Sequence, residues 1–199
     1  ANLEEAGEGV YKANGAPESS PLFLLSTEIS SIYSQAGKVR KIHTLIFAPN
    51  FEVVGKINKE LTVRGANLLS DGRPIVGLSA KAVAEIALGV DSKCLIIPAH
   101  AWTPHFSLFG SISGFDSIAE CFQELSPEIY AIETGLSSDP AMNWRIEELT
   151  NRRIVSFSDA HSLPNLGRDE TVIDADLLEG YNGLYKAIRE QKIAGTIEF

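Results

Sequence analysis

Basic residues are scarce in this chain. Seventeen Lys+Arg stand against 26 Asp+Glu, a formal charge of −9. That balance argues against a globally basic nucleic-acid binder and leaves room only for a local basic patch. Long apolar runs are also missing. The longest are four residues or so, as in Leu22-Phe23-Leu24-Leu25, whereas a membrane helix needs about 20. No segment is expected to cross a bilayer. Cysteine is limited to Cys94 and Cys121, with no CxxC spacing. This excludes a disulfide framework or a zinc ribbon, fits a reducing compartment, and predicts a cytoplasmic location. No basic start followed by an apolar stretch marks a signal peptide. The 199 residues are 44% apolar and 22% charged, which excludes a disordered, collagenous or coiled-coil chain and favours one domain.

Residues 1–21, rich in Gly, Ala, Glu, Ser and Pro, read as a helix tail followed by a linker. Two β-rich stretches, 22–33 and 38–47, flank the turn-like Ser34-Gln35-Ala36-Gly37 and predict an antiparallel hairpin. Val53, Val54, Ile57 and Leu61 share one side of a predicted helix. Asp71-Gly72-Arg73-Pro74 reads as a turn. Ser79 is a good N-cap for a helix over 80–89. Beyond it, short apolar strands (94–98, 128–133, 153–157, 195–198) alternate with helices (115–125, 140–151, 174–191). That rhythm predicts an α/β architecture with a mostly parallel sheet.

Polar residues gather where these strands end. His100 follows Pro98-Ala99, Glu133 precedes Thr134-Gly135, and Asp159 and His161 follow Ser158, while Glu28 and His43 lie in the early hairpin. In α/β folds chemistry sits at the carboxyl ends of parallel strands. His and carboxylate side chains suit zinc, manganese or iron. The Asp159-x-His161 spacing puts two ligands on one side of an extended segment. Glu28 offers two oxygens that bridge two ions. A metal pair about 3.5–4 Å apart activates water and stabilises a leaving oxygen in phosphoester hydrolysis. Each residue also has a plain reading as a turn, cap or surface group. The loop 101–115 is long and aromatic. Trp102, His105, Phe106 and Phe109 either meet substrate, for instance by stacking on a base, or fold onto a small core of their own. Arg40, Lys38, Lys41, Arg145, Arg152 and Arg168 either contact phosphate or form solvated surface.

The stretches LSTEISSIYSQAGKVRKIHTLIFAP, IPAHAWTPHFSLFGSISGFDSI, AIETGLSSDPAMNWR and SFSDAHS resemble the polymerase and histidinol phosphatase (PHP) superfamily, and within it the endonuclease Q branch. The resemblance implies a distorted (β/α)7 TIM-like barrel with a metal cluster at the strand carboxyl ends. By motif it implies Glu28 as bridging carboxylate, and His43, His100, Asp159 and His161 as ligands, with Glu133 as a further site residue. It implies two or three divalent ions (Zn, Mn or Mg) in the complete domain, and cleavage of a DNA phosphodiester next to a deaminated base. Asp159, His161 and Glu28 would carry the catalysis, and Trp102, His105, Phe106, Arg40 and Arg145 would meet the substrate. The superfamily's opening His-x-His pair has no counterpart here. Residues 22–199 are therefore expected to be an incomplete barrel, an internal fragment whose partial site binds metal weakly or not at all and which is itself inactive. Its exposed sheet edge would invite self-association. A small phosphomonoester substrate and a degenerate binding module are the alternatives.

Overall fold

The computed structural model describes residues 2–69, 73–176, 179–190 and 192–198. Its first elements are strands β1 (Leu3–Gly7) and β2 (Val10–Ala13), an antiparallel pair. This corrects the helix tail expected over residues 1–21. The pair carries few apolar side chains, but Val10 and Tyr11 are buried, and Glu8 O accepts from Tyr181 N at 2.8 Å. Distant contacts, not local propensity, hold it in place.

Strands β3 (Phe23–Gln35) and β4 (Lys38–Ala48) form the expected hairpin. Ala36 and Gly37, with φ of 50° and 74°, make the two-residue turn, a geometry that matches the twist of the flanking strands. Helix α1 (Phe51–Val63) is capped by the Asn50 side chain, which accepts from Val53 N at 2.9 Å. The turn expected at 71–74 falls partly outside the described residues. Beyond it come β5 (Ile75–Val76) and α2 (Ala80–Val90), the latter capped as expected by Ser79 through Ala82 N at 3.1 Å.

Strand β6 (Leu95–Pro98) pairs antiparallel with β4, so the largest sheet runs β1-β2-β3-β4-β6, with β5 added parallel to β3. The mostly parallel sheet expected from the sequence is therefore corrected: this sheet is largely antiparallel and the fold is mixed α/β. Parallel pairing recurs between β7 (Ala131–Glu133) and β8 (Arg153–Val155). The helices expected over 115–125 and 140–151 shorten to α3 (Ile118–Phe122) and α4 (Pro140–Asn143), each followed by 3₁₀ turns. A strand that the sequence reading passed over, β9 (Asp169–Ile173), precedes α5 (Tyr181–Arg189) and pairs antiparallel with β10 (Ile193–Glu198).

Strand alternation splits the interior into two cores. Ile29, Ile42, Ile46 and Ile96 face α1, α2 and α3, whereas Leu95 and Ile97 face Tyr181, Tyr185 and Ile188 of α5. Both faces of β6 are therefore buried, which explains its unbroken apolar run. Among the described residues no helix is long and apolar enough to cross a membrane.

Candidate metal centre

The period-two geometry that sends Ile29 and Ile42 into the first core sends Glu28 and His43 to the other face of the sheet. Their register makes them diagonal neighbours, since Glu28 opposes Leu45 and Ser30 opposes His43. Glu28 Oε1 lies 2.7 Å from His43 Nδ1. His100, just past β6, brings its Nε2 to 3.4 Å from the same oxygen and 3.0 Å from His43 Nδ1. One atom from each of three residues thus converges on a common point, and these atoms all lie within 4.8 Å of one another. Two imidazole nitrogens and a carboxylate oxygen are a donor set that suits a divalent transition metal.

Each ligand is oriented by a second contact. His43 Nε2 lies 3.1 Å from Ser30 Oγ, and His100 Nδ1 lies 2.9 Å from Thr103 Oγ1. Such outer hydrogen bonds fix the tautomer and the ring orientation. Glu133, only 3% exposed, accepts from the backbone N–H of His100 at 2.7 Å through Oε2. His100 holds φ 30° and Asp159 φ 43°, both in the left-handed region that non-glycine residues seldom enter. Backbone strain of this kind gathers at functional sites.

The electrostatics follow from this packing. Burial pushes the Glu28 carboxyl up, but hydrogen bonds from His100 and His43 and the charges of His43 and Arg73 outweigh it and hold the group well below the usual carboxylate range. Burial lowers His43 against the pull of Glu28. At His100, burial is overcome by Glu28, Glu133 and Asp159, and the imidazole is raised. Glu133 is pushed up to about 7 by burial, resisted by its bond to His100 and aided by the charges of Asp159 and Glu28.

Glu28, His100, Glu133 and Asp159 line one cavity of about 310 Å³, with Leu45, Phe47 and Phe157 on its walls. His161 stays apart. Its side chain is 68% exposed and its Nδ1 turns to the Asp159 backbone carbonyl at 2.8 Å. Of the six ligands expected from the sequence, three converge, two more line the cavity, and His161 lies beside it, its Nδ1 3.8 Å from Asp159 Oδ1.

The expected substrate contacts fare differently. Trp102 packs against Phe109 at a ring separation of 5.0 Å and donates its indole N–H to Asn143 at 2.8 Å. Its ring is half-buried and takes part in this packing. Arg40 is also spent internally: its guanidinium lies 4.0 Å over the Phe115 ring and donates to the Gly114 carbonyl. Phe106 sits 4.8 Å from the His43 ring, and its carbonyl accepts from His43 N at 3.0 Å. The loop 101–115 therefore runs along β4 and is packed, with Ala101, Ser107 and Leu108 fully buried. His105 and Arg145 are exposed.

Three residues at the centre were missed. Arg73 places Nη1 3.0 Å from Glu28 Oε1 and 3.4 Å from His43 Nδ1, but in the sequence it is one residue of a turn. Ser30, two positions after Glu28 on the same strand face, and Thr103, three after His100, carry a spacing signal that is visible only once the ligands are fixed.

No protein-family profile matches the chain. Two curated relatives do. The uncharacterized protein YqxK of Bacillus subtilis is 32% identical over 176 residues, covering 84% of this chain and 42% of that protein. The uncharacterized protein MJ0043 of Methanocaldococcus jannaschii is 37% identical over 100 residues, covering 47% of this chain and 12% of that protein. The chain thus spans less than half the length of either. Among solved structures, the lesion-specific endonuclease PfuEndoQ of Pyrococcus furiosus superposes with a TM-score of 0.80 at 28% identity, over 100% of this chain and 46% of that one. The fold is similar to that of endonuclease Q. A second endonuclease Q structure, solved with a 27-mer duplex carrying an abasic lesion at the active site, gives a TM-score of 0.78 at 27% identity, over 95% of this chain and 43% of that one.

Proposed function

We propose that this chain contributes the metal centre of a DNA-repair endonuclease, a phosphoesterase that cuts a phosphodiester next to a damaged base. The observation that carries the reading is the convergence of Glu28, His43 and His100 on one point beside a cavity. Likeness to endonuclease Q supplies the substrate class.

In this reading Glu28 Oε1, His43 Nδ1 and His100 Nε2 hold a divalent ion (Zn, Mn or Mg). Such an ion polarises water and the phosphoryl oxygens. Glu28 is ready to act as a ligand because His100, His43 and Arg73 keep it ionised. Glu133 fixes the His100 backbone and, with Asp159, adds carboxylates to the cavity wall. Asp159 and His161 would be the residues to hold a second ion. His105, Phe106 and Arg145 remain candidates for substrate contact. Residues 22–199 belong to a PHP barrel of the (β/α)7 type in this reading. A cytoplasmic location and self-association through the free edge of β1 belong to the same reading.

The test is cleavage by the full-length protein, loaded with manganese, magnesium or zinc. Substrates are DNA containing uracil, hypoxanthine or an abasic site, undamaged DNA, and a chromogenic phosphomonoester. Cleavage confined to the damaged strands supports the reading. Activity on the monoester alone would make the protein a small-molecule phosphatase, and inactivity on every substrate would leave a binding module.

A further inference from the structure

Away from the metal centre, one exposed aromatic residue stands beside the chain's scarce positive charge. Trp144 follows α4 and is 70% exposed. Among the described residues nothing bonds to or stacks on its ring. An open indole offers a flat apolar face and a polar N–H to a ligand. The ring lines a groove of about 540 Å³ together with Pro140, Arg152, Arg153 and residues 193–196 of β10. That volume is within the range of small-ligand sites, roughly 300–1,000 Å³.

The groove's chemistry runs against the rest of the molecule. In a chain of net charge −9, its described lining holds two arginines and no carboxylate. Both arginines line the groove; their Nε groups are buried, and one Nη of Arg152 donates to the Ser126 carbonyl at 3.0 Å. An open indole face beside guanidinium donors is the pairing that holds single-stranded nucleic acid, with bases stacking on the ring and phosphates meeting the cations.

We infer that the groove between Trp144 and β10 binds an unpaired stretch of the DNA strand, Trp144 stacking on a base while Arg152 and Arg153 take the adjoining phosphates. This rests on the nuclease reading for its partner and places a second contact outside the metal centre. Charge favours DNA over a protein segment, since an acidic chain has reason to keep a cationic groove open for a polyanion.

The experiment is a titration of the protein with a single-stranded oligothymidylate, without divalent ions, read by tryptophan fluorescence. The chain has two tryptophans, and Trp102 is held against Phe109 and Asn143, so a change reports on Trp144. We expect saturable quenching, lost in Trp144→Phe. Trp144→Ala, at an exposed position that leaves the fold intact, should weaken binding about tenfold, as one stacked base requires. Arg153→Gln should reduce the salt slope by about one phosphate contact. Unchanged affinity in Trp144→Ala overturns the inference. So does shielding of Trp144 from iodide in the DNA-free protein, which would assign the groove to a protein segment. The titration needs no metal, so failure of the metal-centre reading would show as absent cleavage in the separate metal-loaded assay with quenching here intact.

Discussion

Gly135 backs directly onto His100: a Cβ built on the glycine would sit 2.8 Å from the His100 Cβ and 2.9 Å from its Cα. Gly135 also has φ 66°, where a side chain is strained in any case. The close approach lets the loop after β7 hold His100 in its own left-handed geometry, with Glu133 bound to its N–H. Gly135→Ala should therefore cost about 1–3 kcal/mol of stability and displace a ligand. Chemical denaturation paired with metal titration checks both effects.

Half-buried Glu28 and buried Glu133 predict a shaped pH profile for the metal-free protein. Glu28 is held below its ordinary value of 4.5, so its stabilising contribution is present above that pH and is lost as pH falls further. Glu133 is raised from 4.5 to about 7. The folded state keeps that proton longer than the unfolded chain, so stability declines as pH rises from about 4.5 to about 7. Urea midpoints measured across this window should fall in the native sequence and flatten in Glu133→Gln.

Arg73 and a divalent cation would compete for one oxygen. Its Nη1 is 3.0 Å from Glu28 Oε1, and like charges repel at that range. Arg73→Met should tighten metal binding several-fold, as read by calorimetry. Weaker binding in this variant would make Arg73 a support of the site.

Burial pushes both Cys94 and Cys121 up to about 12. The thiolate is the reactive form, so neither should be alkylated by iodoacetamide in the folded protein at pH 8. Both should react once the chain is unfolded.

The elements that were legible in the sequence are those that local chemistry determines. Ser79 announced α2, the apolar run at 95–97 announced β6, and the β3–β4 hairpin was read with its turn two residues too long at the start. What the sequence could not show depends on distant partners. The β1–β2 pair is anchored by Tyr181, and β9 is paired by β10 far along the chain. The direction of β6 against β4 is set by topology and leaves no trace in composition. For the site, a strand end pointed to His100, whereas Glu28 and His43, inside the hairpin strands, were assigned through the family resemblance. The inward packing of Trp102 and the internal use of Arg40 arise from Asn143, Phe109 and Phe115, which sequence spacing does not bring near.

The most direct measurement is calorimetric titration of the protein with manganese or zinc at neutral pH, repeated on Glu28→Gln, His43→Ala and His100→Ala. The account predicts saturable binding of one ion at this cluster, weakened at least about tenfold by each substitution. Binding that persists unchanged in all three variants, or no binding by the native sequence, would contradict it.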